Sequence, residues 1–495
     1  MNTPFRQRAF KRKGNMHRVR RKNSISRDGF GWAVIAVTVA LLALLPLSSP
    51  LAGSMRQAET SGDDFLANQP KSEFRERRKR LTEKVKDGVI VLGGAYEEDF
   101  GEVGRFRQKN DIMYLTGVQT PAAYLVLVPQ ALLPEKPAQE VLFIPARNLV
   151  RERWTGVQVG PGAEAAKMFG MAEVAGSDTF QQRLREILSS LPRKAGQSPV
   201  KLYTVLPSGP AAELSRERYF VDSLRRQFPE ARIENLSPVI AELRKIKSEA
   251  EVRLMQKAVD ITGEAHRDTA RAIKPGVFEY EVQAALEYTF IRNGAERPGF
   301  PSIVGSGIYS TILHYNENRK KIEAGDTVVV DIGAEYSYYT ADITRTYPAS
   351  GKFTPRQREI YQLVLDAQRA CEKAFKPGQM SMHQLGEVAS EVMRKSPLRD
   401  KAGNTLDRYF IHGLGHWLGM DVHDVGSYDG PLPPGSIITI EPGIYIPEER
   451  LGVRIEDDYL VTASGLVKLS GKIPSDPDAV ERLMASESRQ AGQKK

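Results

Sequence analysis

At 495 residues the chain is too long for one ordinary hydrophobic core, so two domains plus tails are expected. Its net charge of +9 sits entirely in the first 30 residues, which hold ten Lys/Arg and one Asp, while the other 60 basic residues meet 60 acidic ones. That balance excludes a general nucleic-acid-binding surface, and the single cysteine, Cys371, excludes an intrachain disulfide.

The basic arm, 1–28, is followed by the uncharged run "FGWAVIAVTVALLALLPL", Phe30 to Leu47. Its length reaches the lower limit for crossing a bilayer. Basic residues before it predict the arm inside and the remainder outside. Ala52-Gly53-Ser54 offers a small-residue cleavage site, whereas Pro46 and Pro50 blur the signal, and Met16 offers a later start. Residues 29–52 are therefore expected to be an uncleaved anchor or a removed signal, with the N-terminal segment meeting a membrane. The remainder of the chain is expected outside the cytoplasm, either membrane-anchored or periplasmic or secreted after cleavage. Residues 53–69 read as a linker.

From 70 to 240, "GVIVLGG", "AAYLVLVP" and "EVLFIP" are β-branched, apolar runs bounded by Gly or Pro, and "FQQRLREILSSL" lies among them as a helix. This alternation predicts an α/β domain. The second domain, 241–475, opens on a capping box, Ser248 with Glu251, followed by Val252, Met255 and Val259 at helical spacing. Strand signals follow in "DTVVVDIGAEY", "SIITIEPGIYI" and "GVRIEDDYLVT", with helical runs near 277–292, 355–375 and 381–395. Helices around a mostly antiparallel sheet predict an α+β domain. Cys371, within a helical run, reads as a buried structural thiol. Residues 476–495 read as a polar tail that frays.

The strand signals of the second domain carry acids where apolar residues belong: Asp331, Asp342, Glu441 and Glu456. A buried carboxylate is costly unless a cation compensates it. Two divalent ions would balance four carboxylates, and oxygen donors with imidazole suit manganese or cobalt better than a thiolate-loving metal, with zinc still compatible. Two ions sharing a water would supply hydroxide at neutral pH. The stretch "HGLGHWLGMDVHDVG" holds three of the chain's seven histidines, His412, His416 and His423. Gly413 and Gly415 disfavour a helix there, so the spacing of His412 and His416 is not that of a zinc-binding helix, and a strand or loop is expected. His314 stands in "TILHYNEN". Singly, these histidines read as structural; beside four acids they read as a site. His17, His266 and His383 keep structural readings.

The stretches "SIVGSGIYSTILHYNEN", "VVVDIGAEYSYYTADITRTYP", "HGLGHWLGMDVHDVG", "ITIEPGIYIP" and "GVRIEDDYLVT" resemble, in order and spacing, the pita-bread metallopeptidases. Within that class the chain is similar to the aminopeptidase P (Xaa-Pro aminopeptidase) family. "FRERRKRL" and "FRQKNDIMYLTG" resemble that family's first domain more loosely. The resemblance implies a C-terminal pita-bread (creatinase/methionine aminopeptidase) domain of α+β type behind an α/β N-terminal domain. It implies five metal ligands, Asp331, Asp342, His416, Glu441 and Glu456. Asp342 and Glu456 would bridge two ions, Asp331 would hold one, and His416 with Glu441 the other. Mn2+ is the expected metal, with Co2+ or Zn2+ as alternatives. His314 and His423 would meet the substrate and the developing oxyanion, His412 would line the entrance, and Glu441 would shuttle a proton. Arg454, two residues from Glu456, is expected on the same strand face, holding the carboxylates. The implied activity is release of the N-terminal residue from peptides with proline second, by attack of a hydroxide bridging the two metals, in a homo-oligomer. A Xaa-Pro dipeptidase shares this fold and ligand set. A peptide-binding pita-bread module without catalysis is the other alternative, against which the full ligand set argues.

Overall fold

The computed structural model describes residues 65–97, 105–133, 135, 137–192, 199–209, 212 and 215–493. The apolar runs of the first domain become a six-stranded mixed sheet. Its spatial order is Glu173–Gly176, Gln139–Ile144, Tyr124–Val128, Gly88–Gly93, Lys201–Thr204, Arg232–Asn235. Strand side chains alternate between faces, and here both faces are buried. Val89, Val91, Val126 and Phe143 pack with the helix Phe180–Ser190 through Phe180, Leu184 and Ile187. Ile90, Leu92, Leu125 and Leu127 point the other way. They share a core with Ile112 of the helix Asn110–Thr116 and with Met255, Leu418 and Ile437 of the second domain. A sheet buried on both faces explains why its strands read as continuous apolar runs rather than as alternating ones.

The second domain begins as its capping box requires. Ser248 Oγ accepts from the Glu251 N–H, Glu251 Oε2 accepts from the Ser248 N–H, and the helix Glu249–Ala272 follows. Antiparallel strands come next: Ile303–Ser306, Thr327–Ile332 and Ile343–Pro348 in one sheet. Ile437–Ile440, Asp457–Thr462 and Gly465–Lys468 form another, with Gly443–Ile446 paired to Leu451–Arg454. The helices Glu279–Arg292, Pro355–Ala374 and Met382–Lys395 enclose them. This is an α/β domain followed by an α+β domain. Cys371 is buried, as expected, its Sγ 3.4 Å from the Leu385 carbonyl, and burial raises the thiol to about 12.

Two expectations change. The segment 476–495 is helical over Pro477–Gln493, because Val480 and Met484 share one helix face and are buried in the main core. The membrane segment is corrected as well. Among the described residues no helix is long and apolar enough to cross a membrane. Even the 24-residue helix Glu249–Ala272 carries Arg253, Lys257, Asp260, Glu264 and Arg267 along one side. Phe30–Leu47, on which the signal or anchor, the membrane contact and the exported location all rested, lies outside the described residues, and those expectations are withdrawn.

Candidate active site

Three of the four strand acids occupy positions where strand pairing is interrupted. Asp342 lies between Tyr339–Thr340 and Ile343–Pro348, Glu441 between Ile437–Ile440 and Gly443–Ile446, and Glu456 between Leu451–Arg454 and Asp457–Thr462. Each interruption frees a backbone N–H that must find another acceptor. Asp342 donates to Asp458 Oδ2 (3.2 Å), Glu441 to the Leu414 carbonyl (2.8 Å) and Glu456 to the Thr344 carbonyl (3.1 Å). Asp331, inside Thr327–Ile332, is paired in register with Thr344. The expected shared strand face of Arg454 and Glu456 is therefore corrected, since the strand ends at Arg454.

The histidine-rich stretch is a loop, not a helix. Gly415 has a steric cause: a Cβ there would collide with the Thr439 carbonyl. The His416 N–H donates to Thr439 Oγ1 (3.0 Å), and His416 Nδ1 stands 3.0 Å from the Trp417 carbonyl. A carbonyl cannot donate, so Nδ1 carries a hydrogen, and Nε2 is the ring atom turned to the acids. It is 3.3 Å from Asp342 Oδ2 and 3.5 Å from Glu441 Oε1. One ligand atom from each of Asp342, His416 and Glu456 lies within 4.8 Å of the others, a metal-coordinating cluster. A cleft of about 240 Å³ is lined by all nine side chains singled out in the sequence: His314, Asp331, Asp342, His412, His416, His423, Glu441, Arg454 and Glu456.

The carboxylates crowd one another without enough positive charge from the chain. Burial, and then the charges of Asp331 and Glu441, push Asp342 well above the carboxylate range. Burial and then Asp342 do the same to Glu456. Glu441 rises to about 7, chiefly through burial, against the lowering influence of His416 and Arg454. Asp331 Oδ1 and Asp342 Oδ1 are buried with no hydrogen-bond partner, which is costly for an anion unless a cation takes the lone pairs. Four carboxylates with the His416 imidazole and no thiolate form a donor set that fits hard or borderline divalent ions.

Three residues outside the sequence-derived set hold this arrangement. Thr344 Oγ1 donates to Glu456 Oε2 (2.7 Å) and accepts from Arg454 Nε (3.1 Å). Arg454 Nη2 donates to Asp331 Oδ2 (2.6 Å), so the guanidinium reaches Glu456 through a hydroxyl and Asp331 directly. Tyr445 Oη accepts from Arg454 Nη1 (3.0 Å) and donates to His412 Nε2 (2.9 Å), while His412 Nδ1 donates to the Gly413 carbonyl (2.7 Å). Thr439 Oγ1 donates to Glu441 Oε1 (3.4 Å). The signal was present for Thr344 and Tyr445: each lies two or four residues after an acid in its own motif, "ADIT" and "EPGIY". His412 and His423 are both lowered to about 4, by burial first and then by Arg454 and by His416 respectively, so both are neutral at pH 7. His314 and His423 are exposed at the cleft.

The chain matches "Metallopeptidase family M24" over residues 253–463 and "Aminopeptidase P, N-terminal domain" over residues 74–194. It is 34% identical over 444 residues to the Xaa-Pro aminopeptidase of Escherichia coli (strain K12), covering 85% of this chain and 99% of that protein. Xaa-Pro aminopeptidase 3 of Homo sapiens is 34% identical over 404 residues, 77% of this chain and 78% of that one. Among solved structures, proline aminopeptidase P II from Yersinia pestis superposes with a TM-score of 0.74 at 33% identity, covering 84% of this chain and 100% of that chain. Zn-substituted E. coli aminopeptidase P in complex with product gives 0.75 at 32%, covering 85% and 99%. The chain belongs to the Xaa-Pro aminopeptidases of metallopeptidase family M24, with a pita-bread catalytic domain behind an aminopeptidase P N-terminal domain.

Proposed function

We infer that the protein is a metal-dependent aminopeptidase that releases the N-terminal residue from peptides with proline in second place. The observation that carries this reading is the convergence of Asp342, His416 and Glu456 on one point of an open cleft. In this reading Asp331, Asp342, His416, Glu441 and Glu456 hold two divalent cations, with Mn2+ the best suited. Bound there, such ions polarise a carbonyl and draw a hydroxide-level nucleophile from water at neutral pH.

The chain's own groups do the rest. Arg454 fixes one oxygen of Asp331 and leaves the other free, and Thr344 fixes one oxygen of Glu456. His423 and His314, at the open side of the cleft, donate to the oxyanion that develops on the scissile carbonyl. His412, tied to Tyr445, borders the entrance. Glu441, with Oε2 3.9 Å from His412 Nδ1, takes the proton released by the attacking water and passes it to the departing proline nitrogen. The Xaa-Pro bond is a tertiary amide with a fixed ring, so a cleft shaped to that ring can demand proline.

The test is an assay on Xaa-Pro-Yaa tripeptides and Xaa-Pro dipeptides after chelation and add-back of Mn2+, Co2+ or Zn2+. Tripeptide cleavage restored by a divalent ion is expected. Cleavage of dipeptides alone would make the protein a dipeptidase, and full activity in the chelated protein would remove the metal from the reading.

A further inference from the structure

Four residues of the first domain's stretch "FRQKNDIMYLTG" reach into the second domain with polar groups. Arg107 donates twice to Glu335 (3.1 Å each), and the Gln108 N–H donates to Tyr338 Oη (2.8 Å). Asn110 Nδ2 donates to the Met420 carbonyl (3.1 Å), and Asp111 Oδ1 accepts from Arg244 Nη1 (3.0 Å). Arg244, near the end of the helix Ser237–Lys245, is buried. Its Nη2 donates onward to Asp421 Oδ2 (2.7 Å) and Asp424 Oδ1 (2.6 Å). Lys247 Nζ takes the second Asp424 oxygen at 3.1 Å. The Asp424 and Lys247 side chains are each 1% exposed. A Cβ at Gly419 would strike the Asp424 carboxylate, so the loop is cut to receive it.

Asp424 follows His423 directly. The loop 418–426 forms no helix or strand of its own; strands hold its start, where the Leu418 N–H donates to the Ile437 carbonyl (3.0 Å) and the Gly419 carbonyl accepts from the Thr340 N–H (3.0 Å), and the Asp424 side chain holds it beyond His423. Among the described residues the His423 imidazole has no hydrogen-bond partner, and its ring contact is with His416 at 4.1 Å between centroids. The place of that imidazole is therefore set by its backbone, and the backbone is anchored one residue later by Arg244 and Lys247. Two buried cations on one buried carboxylate give little net stability after desolvation, but they fix one geometry strongly.

We propose that the first domain positions His423: Asn110 and Asp111 of its "FRQKNDIMYLTG" stretch act through Met420 and Arg244 on the Asp424 anchor, with Lys247 completing it. Asn110, Asp111, Arg244, Lys247 and Asp424 are positioning residues. The proposal rests on the reading of His423 as an oxyanion donor.

A double-mutant cycle tests it on the metal-loaded full chain, with kcat, KM and metal content measured for each variant. Arg244→Met is expected to lower kcat about tenfold with metal content unchanged. In a His423→Ala background the same change is expected to cost less than about twofold, because the group it positions is gone. Asp111→Asn, at a part-exposed carboxylate, is expected to cost about threefold with the same dependence on His423. It decides the matter if Arg244→Met does not fold. Equal losses in both backgrounds, or unchanged kcat in the single variants, make the cluster domain adhesion only and overturn the proposal. Unchanged kcat in His423→Ala alone removes the reading of His423 and the proposal with it.

Discussion

Glu456 and Asp457 are chain neighbours, both fully buried, and they end in opposite electrostatic states. Asp457 accepts from Arg345 Nη2 (2.6 Å), Gln368 Nε2 (3.0 Å), Lys468 Nζ (3.2 Å) and Ser470 Oγ. Burial alone would raise it, but Arg345 and Lys468 overcome that and hold it below the usual carboxylate range. Glu456 is driven upward by burial and then by Asp342, Glu441 and Asp331, against the lowering influence of Arg454. Where the chain brings its own cations to a buried acid, the acid is part of the scaffold. Where it gathers several acids around an open cleft, as at Glu456, the deficit calls for a charge from outside, and the deficit and the cleft together mark the site.

The largest effect that could break this contrast is on turnover. Asp342→Asn is isosteric and removes a charge from the crowded side, so the fold should stand. Losing one ligand of a Lewis-acid centre removes several kcal/mol of transition-state stabilisation, at least about a thousandfold in kcat. Circular dichroism should be unchanged while hydrolysis vanishes. Near-normal turnover in the folded variant would mean that the acid deficit is not the catalytic centre.

The opposite outcome belongs to the neighbour. Asp457→Ala leaves Arg345 buried without its carboxylate, and breaking a buried pair from one side costs about 3–5 kcal/mol. The expected result is a lowered denaturant midpoint in the metal-free protein. Glu456→Gln, under the same conditions, should leave the midpoint unchanged or raise it. If both substitutions destabilise alike, the two carboxylates do not differ in the way their surroundings indicate.

How much of this was readable in the sequence follows from the same contrast. The apolar runs of the first domain and the Ser248–Glu251 box carry local signals, and the strands and helix formed where those signals lay. Acids inside strand patterns were equally visible, and the motif resemblance separated Glu456 from its neighbours. Composition could not, because "EDD" reads alike at 456, 457 and 458. The difference is tertiary: Asp457 is neutralised by Arg345, 112 residues away, and by Lys468. The strand interruption before Glu456 was hidden for a similar reason, since "GVRIEDDYLVT" keeps strand-like composition through the break. The anchor at Asp424 was hidden too, because its cations come from a different segment, 180 residues upstream for Arg244.

The smallest effect sharpens the contrast through pH. Glu441 is raised from its ordinary 4.5 to about 7 in the fold without metal. The folded chain thus holds this proton more tightly than the unfolded chain does, so its contribution to stability is complete below about pH 4.5 and is lost as pH rises through 7. A neutral amide has no such loss. In chelator, Glu441→Gln should therefore melt about 2–4 °C above the parent at pH 8 and show a smaller difference at pH 4.5. With Glu441 a ligand as proposed, saturating Mn2+ should reverse the order at pH 8, because an ion stabilises the native state that binds it. Calorimetry at the two pH values, with and without the ion, reads both differences. Parallel pH dependence of parent and variant in chelator would show that Glu441 carries none of the charge deficit, and the contrast with Asp457 would then rest on Asp342 and Glu456 alone.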